Sequence, residues 1–189
     1  MLHPLLEYFQ QFQWLSSAER TAILESLEER FAEKGRILLH PDSTQSPTYF
    51  VIKGCIRQYY LIEGEERTTT FYTENQWLVA PSFPVEYYWE PTEDSQLVVG
   101  SESKAQVLYE QFPDFQKIAQ QVLEQALEQQ QNWMAGFVIG SAEMRYKKII
   151  ATRPDLLQRV PQHQLASYIG VKPETLSRIR KRLTPKKKP

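Results

Sequence analysis

The stretch QHQLASYIGVKPETLSRIRKRL, residues 162–183, constrains this chain more than any other. Leu165, Ala166 and Ile169 make one apolar helical face. Gly170 follows where the chain has to turn sharply, because glycine accepts a positive φ without steric cost. Val171 fills the gap between two helices. Pro173 occupies the first turn of the second helix, where its missing N–H is no loss. Leu176, Ile179 and Leu183, spaced three and four apart, form a second buried stripe. Counted from Gln162, apolar residues hold the fourth, eighth, tenth, fifteenth and eighteenth places, with alanine fifth and glycine ninth. This is the helix-turn-helix pattern. A helical hairpin that packs only internally would share the apolar stripes but would not need a basic outer face.

The outer face is basic. Glu174, Ser177, Arg178 and Lys181 lie at three- and four-residue steps opposite the leucine stripe, where they are candidates for reading DNA bases. An arginine bonds guanine through O6 and N7, and a carboxylate accepts from cytosine N4. The plainer reading of Glu174 and Arg178 is a surface ion pair worth about 0.3–0.5 kcal/mol. Lys172, Thr175, Arg180, Arg182, Lys186, Lys187 and Lys188 read as phosphate contacts, which position a protein without specifying sequence. The wider charge distribution agrees. Residues 141–189 hold 13 Lys and Arg against 3 Asp and Glu, whereas residues 1–140 hold 9 against 20. The net charge of −1 therefore conceals a basic module joined to an acidic one, and the basic one suits a polyanion.

Upstream, the texture is different. Leu5, Leu6, Phe9 and Phe12 suggest a short helix. Ser16 and Glu19 form a capping-box signature for a second, with Ala22, Ile23, Leu27 and Phe31 as its buried stripe. From 33 to about 110 the runs RILLH, TYFVIKG, CIRQYYLI, RTTTFYT, QWLVA and SQLVVGS predict short antiparallel strands in a sandwich or barrel, with EGEE at 63–66 as a hairpin turn. A long helix is predicted over about 114–138. Its apolar residues Phe115, Ile118, Val122, Ala126 and Trp133 are candidates for a two-stranded interface with a second copy, the alternative being packing against the chain's own barrel. A boundary near 136–140 divides the chain into 1–138 and 139–189.

Several classes of function are disfavoured. The single cysteine, Cys55, reads as a small buried residue and allows no intrachain disulfide. His3, His40 and His163 are too scattered to hold a metal, and no nucleophile elbow or phosphate-binding loop is present. We therefore expect neither an enzyme nor a metal site. The N-terminus lacks the features of a signal peptide, and no run is long and apolar enough to span a bilayer, so a cytoplasmic protein with no membrane partner is expected.

The order of acidic β domain, long helix and helix-turn-helix resembles the Crp/Fnr family of bacterial transcription regulators over nearly the whole length. EKGRILLHPDS and YFVIKGCIRQYY look like that family's cyclic-nucleotide-binding β-roll, with Gly35 and Gly54 at its turn glycines. VKPETLSRIRKRL looks like its recognition helix, with Glu174 and Arg178 matching its base-reading Glu and Arg, and Pro173 at the first place of the usual trio. The resemblance implies an α+β fold: an N-terminal antiparallel β-roll (double-stranded β-helix), a long dimerisation helix, and a C-terminal winged helix-turn-helix. The wing is expected to be reduced or absent, since only TPKKKP follows Leu183. It also implies a homodimer on double-stranded DNA, with RNA polymerase as a further partner. The nucleotide motif departs from the family's. LVAPS (78–82) puts Ala80 where a ribose-binding Glu would stand, and Thr92, Glu93 or Asp94 stands near the expected phosphate-binding Arg. A carboxylate there repels a phosphate, so the effector is expected to be something other than cyclic AMP, or none. Ala80, Ser82, Phe83, Tyr87, Tyr88 and Trp89 are the pocket candidates, either for an apolar or planar effector or as simple filling of the roll.

Overall fold

The computed structural model describes residues 2–183. Helix α1 (Pro4–Phe9) and helix α2 (Ser17–Ser26) open the chain. Ser16 caps α2 through the full reciprocal box: its Oγ accepts the Glu19 N–H, and the Glu19 carboxylate accepts the Ser16 N–H at 2.7 Å. The helix stops sooner than its apolar spacing suggests. Leu27 is already extended, and strand β1 (Glu29–Ala32) follows, paired with β7 (Ser95–Gly100). Strand pairing replaces a 3.6-residue period with a two-residue one. Ala32 therefore turns inward, whereas Phe31, expected in the buried stripe, is 59% exposed.

The remaining strands are β2 (Thr48–Lys53), β3 (Ile56–Ile62), β4 (Glu65–Tyr72), β5 (Trp77–Val79) and β6 (Tyr87–Pro91). They form two antiparallel sheets, ordered β1-β7-β2-β5 and β4-β3-β6. RILLH, expected as a strand, contributes only an isolated bridge from Leu39 to Trp89. The β3–β4 hairpin turns on Glu63 and Gly64, both at positive φ, in the two-residue loop that matches strand twist.

The β domain has one core centred on Trp89, with Leu39, Tyr49, Val51, Ile56, Leu78 and Leu97 around it. Gln58 serves the polar atoms there. Its Oε1 accepts from Trp89 Nε1 at 3.0 Å and from the Tyr72 hydroxyl at 3.2 Å. Burial pushes the Tyr72 phenol up to about 12. A second core joins α1 and α2 to Phe50 and Val98 and to the start of helix α4.

Helix α3 (Glu102–Gln111) leads into α4 (Phe115–Ile139), 25 residues and about 37 Å long. Helices α5 (Ala142–Thr152), α6 (Leu156–Arg159), α7 (Gln162–Tyr168) and α8 (Pro173–Leu183) complete the described chain. Their shared core includes Leu156, Leu165, Ile169, Leu176 and Ile179, together with Cys55 and Phe71 from the β domain. Burial holds the Cys55 thiol up at about 11, as expected of an inert, core-filling cysteine.

Candidate nucleic-acid interface

Helices α7 and α8 meet at Gly170, whose φ is +71°. The turn is closed by the Gly170 N–H on the Ser167 carbonyl and the Val171 N–H on the Ala166 carbonyl. Leu165, Ala166, Ile169, Leu176 and Ile179 are all buried, and Val171 and Leu183 pack against them partly exposed. Fully burying such side chains is worth about 1.5–3 kcal/mol each, so the apolar stripe decides which side of α8 faces in.

The opposite side faces solvent. Glu174, Arg178 and Lys181 are exposed and Ser177 is half-buried beside them. No ion pair joins Glu174 to Arg178 among the described residues. Glu174 in the first turn, and Arg180, Lys181 and Arg182 in the last, suit the helix dipole. Lys172, Thr175 and Arg180 are exposed. Arg182 is exposed too, but reaches back to Glu143 of α5 at 3.3 Å. Lys186, Lys187 and Lys188, and any wing, lie outside the described residues.

A brace that the sequence reading missed holds this unit to α4. The Arg145 guanidinium donates to the Gly140 carbonyl at 2.6 Å and to the Ile169 carbonyl at 2.9 Å, and it lies 4.6 Å from the Phe137 ring centroid. A Cβ on Gly170 would stand 3.2 Å from that same ring. The end of the long helix thus abuts the turn that aims α8. Only arginine's planar fork fits two carbonyls and a ring face at once, but nothing in the local sequence marks position 145.

Helix α4 carries two apolar stripes. Phe115 and Ile118 are buried in the chain's own second core, and Val122 packs against it. Trp133 stacks on Tyr168 in the C-terminal core. These four are therefore occupied within the chain, and Ala126 alone of the predicted interface residues is openly exposed. The free stripe lies one residue further on. Leu123, Leu127, Met134 and Val138 are 65%, 55%, 59% and 85% exposed, with Phe137 at 37% between them. The intervals 123–127–134–138 keep a coiled-coil-like seam. The two stripes are adjacent in phase, so spacing alone did not separate the occupied one from the free one.

The six pocket candidates do not form one site. Tyr87 and Trp89 face the β-domain core, Trp89 with no exposed surface. Tyr88, between them on the strand, points the other way and stacks on Tyr59 at 5.0 Å. Phe83 is 69% exposed. Ala80 and Ser82 border a cleft of about 1950 Å³ between the β domain and α4, which Thr70, Tyr72, Leu123 and Leu127 also line. Thr92, Glu93 and Asp94 lie in the β6–β7 turn and do not line this cleft. Thr92 bonds the Cys55 carbonyl, Glu93 pairs with Arg159, and Asp94 accepts the Lys34 N–H. The described residues contain no cluster suited to a metal, and no described helix is long and apolar enough to cross a membrane.

No protein-family model matches this sequence, and no curated protein matches it. Solved structures do. FixK2 from Bradyrhizobium japonicum superimposes with a TM-score of 0.70 at 16% identity, over 83% of this chain and 84% of that one. A Crp/Fnr-family transcriptional regulator from Eubacterium rectale gives 0.67 at 15% identity, over 93% and 87%. CLP of Xanthomonas campestris, described as a c-di-GMP responsive global regulator, gives 0.65 at 17%, over 89% and 91%. At these identities the likeness is one of architecture: two antiparallel sheets, a long helix and a C-terminal helix-turn-helix give this chain the fold of Crp/Fnr-type transcriptional regulators.

Proposed function

We propose that this chain is a sequence-specific DNA-binding transcriptional regulator that acts as a homodimer on an inverted repeat. The observation that carries the reading is α8. One side of it is sealed into a core by Leu176 and Ile179, and the other presents Glu174, Arg178 and Lys181 to solvent. That is the arrangement a helix needs to enter a major groove. Glu174 and Arg178 are the base readers, with Ser177 and Lys181 beside them. Lys172, Thr175, Arg180 and Arg182 hold phosphate, Arg182 after leaving Glu143. Residues 139–189 form the DNA-binding unit and 1–138 the sensor and dimer unit. No part of this reading requires a catalytic group. RNA polymerase is the partner such a regulator would recruit or block.

The free stripe on α4 supports the dimer. A second copy against Leu123, Leu127 and Met134 would cover apolar surface that water otherwise meets, and reading an inverted repeat needs two copies of α8 about 34 Å apart on successive grooves. The effector is something other than cyclic AMP. Ala80 brings no carboxylate to a ribose, and this alone carries the reading, because Glu93 and Asp94 are bonded to Arg159 and to the Lys34 N–H and do not line the cleft. A second reading, with no effector at all, is favoured by one observation: Trp89, Tyr72, Tyr87 and Gln58 already fill the inner face of the roll. The neighbour responsive to c-di-GMP makes that nucleotide a useful probe.

The experiment is selection of bound fragments from a random DNA pool, alone and with cyclic AMP or cyclic di-GMP. An enriched inverted repeat, indifferent to cyclic AMP, is expected. Enrichment only with cyclic AMP would overturn the effector reading. Binding without any sequence preference under all three conditions would overturn the regulator reading.

A further inference from the structure

Between the β4-β3-β6 sheet and the C-terminal helices lies an interface that DNA reading as such does not use. Strand β4 is an edge of its sheet, so one row of its N–H and C=O groups lacks a strand partner. Helix α7 lies on that edge. Ser167 Oγ accepts the Thr68 N–H at 2.9 Å and donates to the Glu66 carbonyl at 3.1 Å. One hydroxyl thus does for two edge groups what a neighbouring strand would do. The next residue, Tyr168, is buried edge-on to Phe71 of β4 at 5.1 Å and flat on Trp133 of α4 at 4.4 Å. Sheet, long helix and helix-turn-helix meet on that one ring.

The charged part of the contact lies one helix earlier. Arg159 of α6 donates to both oxygens of Glu74, at 2.7 and 2.8 Å, and to Glu93 on its other side. One of the two acceptors has a second anchor. Glu74 also accepts the Gly54 N–H at 2.8 Å. Gly54 has a φ of +121° and lies so close to Ser95 that no Cβ would fit. Burial alone would raise the Glu74 pKa, but the Arg159 and Gly54 hydrogen bonds outweigh it and hold the carboxyl below its ordinary value. Arg153 adds a bond to Thr73 Oγ1 at 3.0 Å. The clamp is ionic and part-exposed, with Arg159, Glu74 and Glu93 at 22%, 37% and 35%. It leaves the outward face of α8 uncovered.

The geometry points to Arg159 as a positioning residue for operator recognition: its clamp between Glu74 and Glu93 sets the angle of α8 against the β4 edge and α4, and thereby the half-site spacing that the dimer accepts. This rests on the regulator reading above. A reading head held in place beforehand loses less freedom on binding than one that swings about Gly140. The gain appears only when both heads must land together. A single half-site does not sense the angle.

The test uses the full chain with Glu74→Gln and Glu93→Gln combined, and separately Arg159→Lys, which keeps a charge but not the two-pronged fork. Hydrogen exchange at the Thr68 amide, measured without DNA, reports the seating of α7. It should quicken in the double variant, and unchanged exchange would overturn the clamp. Binding is then measured on the selected inverted repeat, on the same repeat with its half-sites moved one base pair closer or further, and on a single half-site. The double variant should lose about fivefold or more on the repeat and discriminate less between spacings. Its half-site affinity should be unchanged, with Arg159→Lys in between. Equal loss on the half-site would make Arg159 a structural or DNA-contacting residue. Tighter binding to the repeat would make the clamp a restraint on a non-binding position. Either result overturns the proposal. If the unaltered protein selects no sequence, the regulator reading and the operator role fall together, and Thr68 exchange still shows whether the clamp seats the head.

Discussion

Arg145, Arg159 and Arg178 are all arginines of the basic C-terminal segment, yet they do three different things. Arg145 bonds two carbonyls inside the fold, Arg159 pairs with acids of the β domain, and Arg178 faces water. What separates them is what each side chain meets, which composition does not record. Arg178 is the one of the three that stays exposed for the base reading proposed above. Arg178→Ala should lose about 1–3 kcal/mol of discrimination at one guanine of the operator, with non-specific binding largely kept. Titration of the selected site and its single-base variants measures this. A uniform loss on every sequence would place Arg178 on phosphate instead. Arg57 shows the same point inside the β domain. It is 2% exposed, held by Glu66 at 2.6 Å and Glu90 at 2.9 Å, and lies 4.1 Å from the Tyr59 ring centroid. A strand pattern marks its position but gives no hint that a charge is buried there.

At the scale of elements, α8 and its turn were legible because their rules are local. Glycine at the turn, proline at the first helical position and leucines at three- and four-residue steps each follow from backbone geometry within a few residues. The capping box at Ser16 is local in the same sense. Helix α4 was legible in extent but not in orientation. Both of its stripes satisfy helical spacing, and only the position of the β domain shows that Phe115 and Ile118 are taken while Leu123 and Leu127 are free. Substitutions should separate the two. Leu127→Glu should convert a dimer to a monomer in sedimentation equilibrium, weakening association by about 2 kcal/mol or more, with the thermal midpoint of the monomer little changed. Ile118→Ala should instead cost about 2–5 kcal/mol of folding stability, with the association of the folded fraction kept. Helix α2 shows the opposite limit. Its spacing continues to Phe31, but pairing of β1 with β7 claims residues 29–32 for a strand, and long-range hydrogen bonding outweighs a weak local preference.

At the scale of the whole molecule, the division of charge between residues 1–140 and 141–189 is an attraction between the two parts of the chain and, on the function proposed above, an attraction to DNA as well. The Arg159 pairs with Glu74 and Glu93 are that second attraction made local. The net charge of +10 over residues 141–189 still predicts strongly salt-dependent DNA binding. Replacing Lys186, Lys187 and Lys188 by alanine should lower the slope of log affinity against log salt by about 0.9 for each phosphate that is no longer neutralised. The selected sequence should stay the same, and a changed preference would show that the lysines read bases.

The sequence by itself determined the elements whose rules act over a few residues: the two helices and turn of 162–183, the capped helix at Ser17, the β3–β4 hairpin, and the existence of a long helix before Gly140. It also carried the separation of an acidic part from a basic one, because charge needs no geometry to be counted. Only the tertiary structure decided which stripe of α4 is free, that Tyr87 and Tyr88 point to opposite faces, and that Glu93 serves Arg159 rather than a ligand site. The same holds for the seating of α7 on the β4 edge and of α6 on the β6–β7 turn, through hydrogen bonds whose partners stand 66 to 101 positions apart in the chain. Those outcomes depend on which surfaces meet. Propensity and period act along the chain, whereas burial, pairing and charge partnership are settled by the whole packed volume at once.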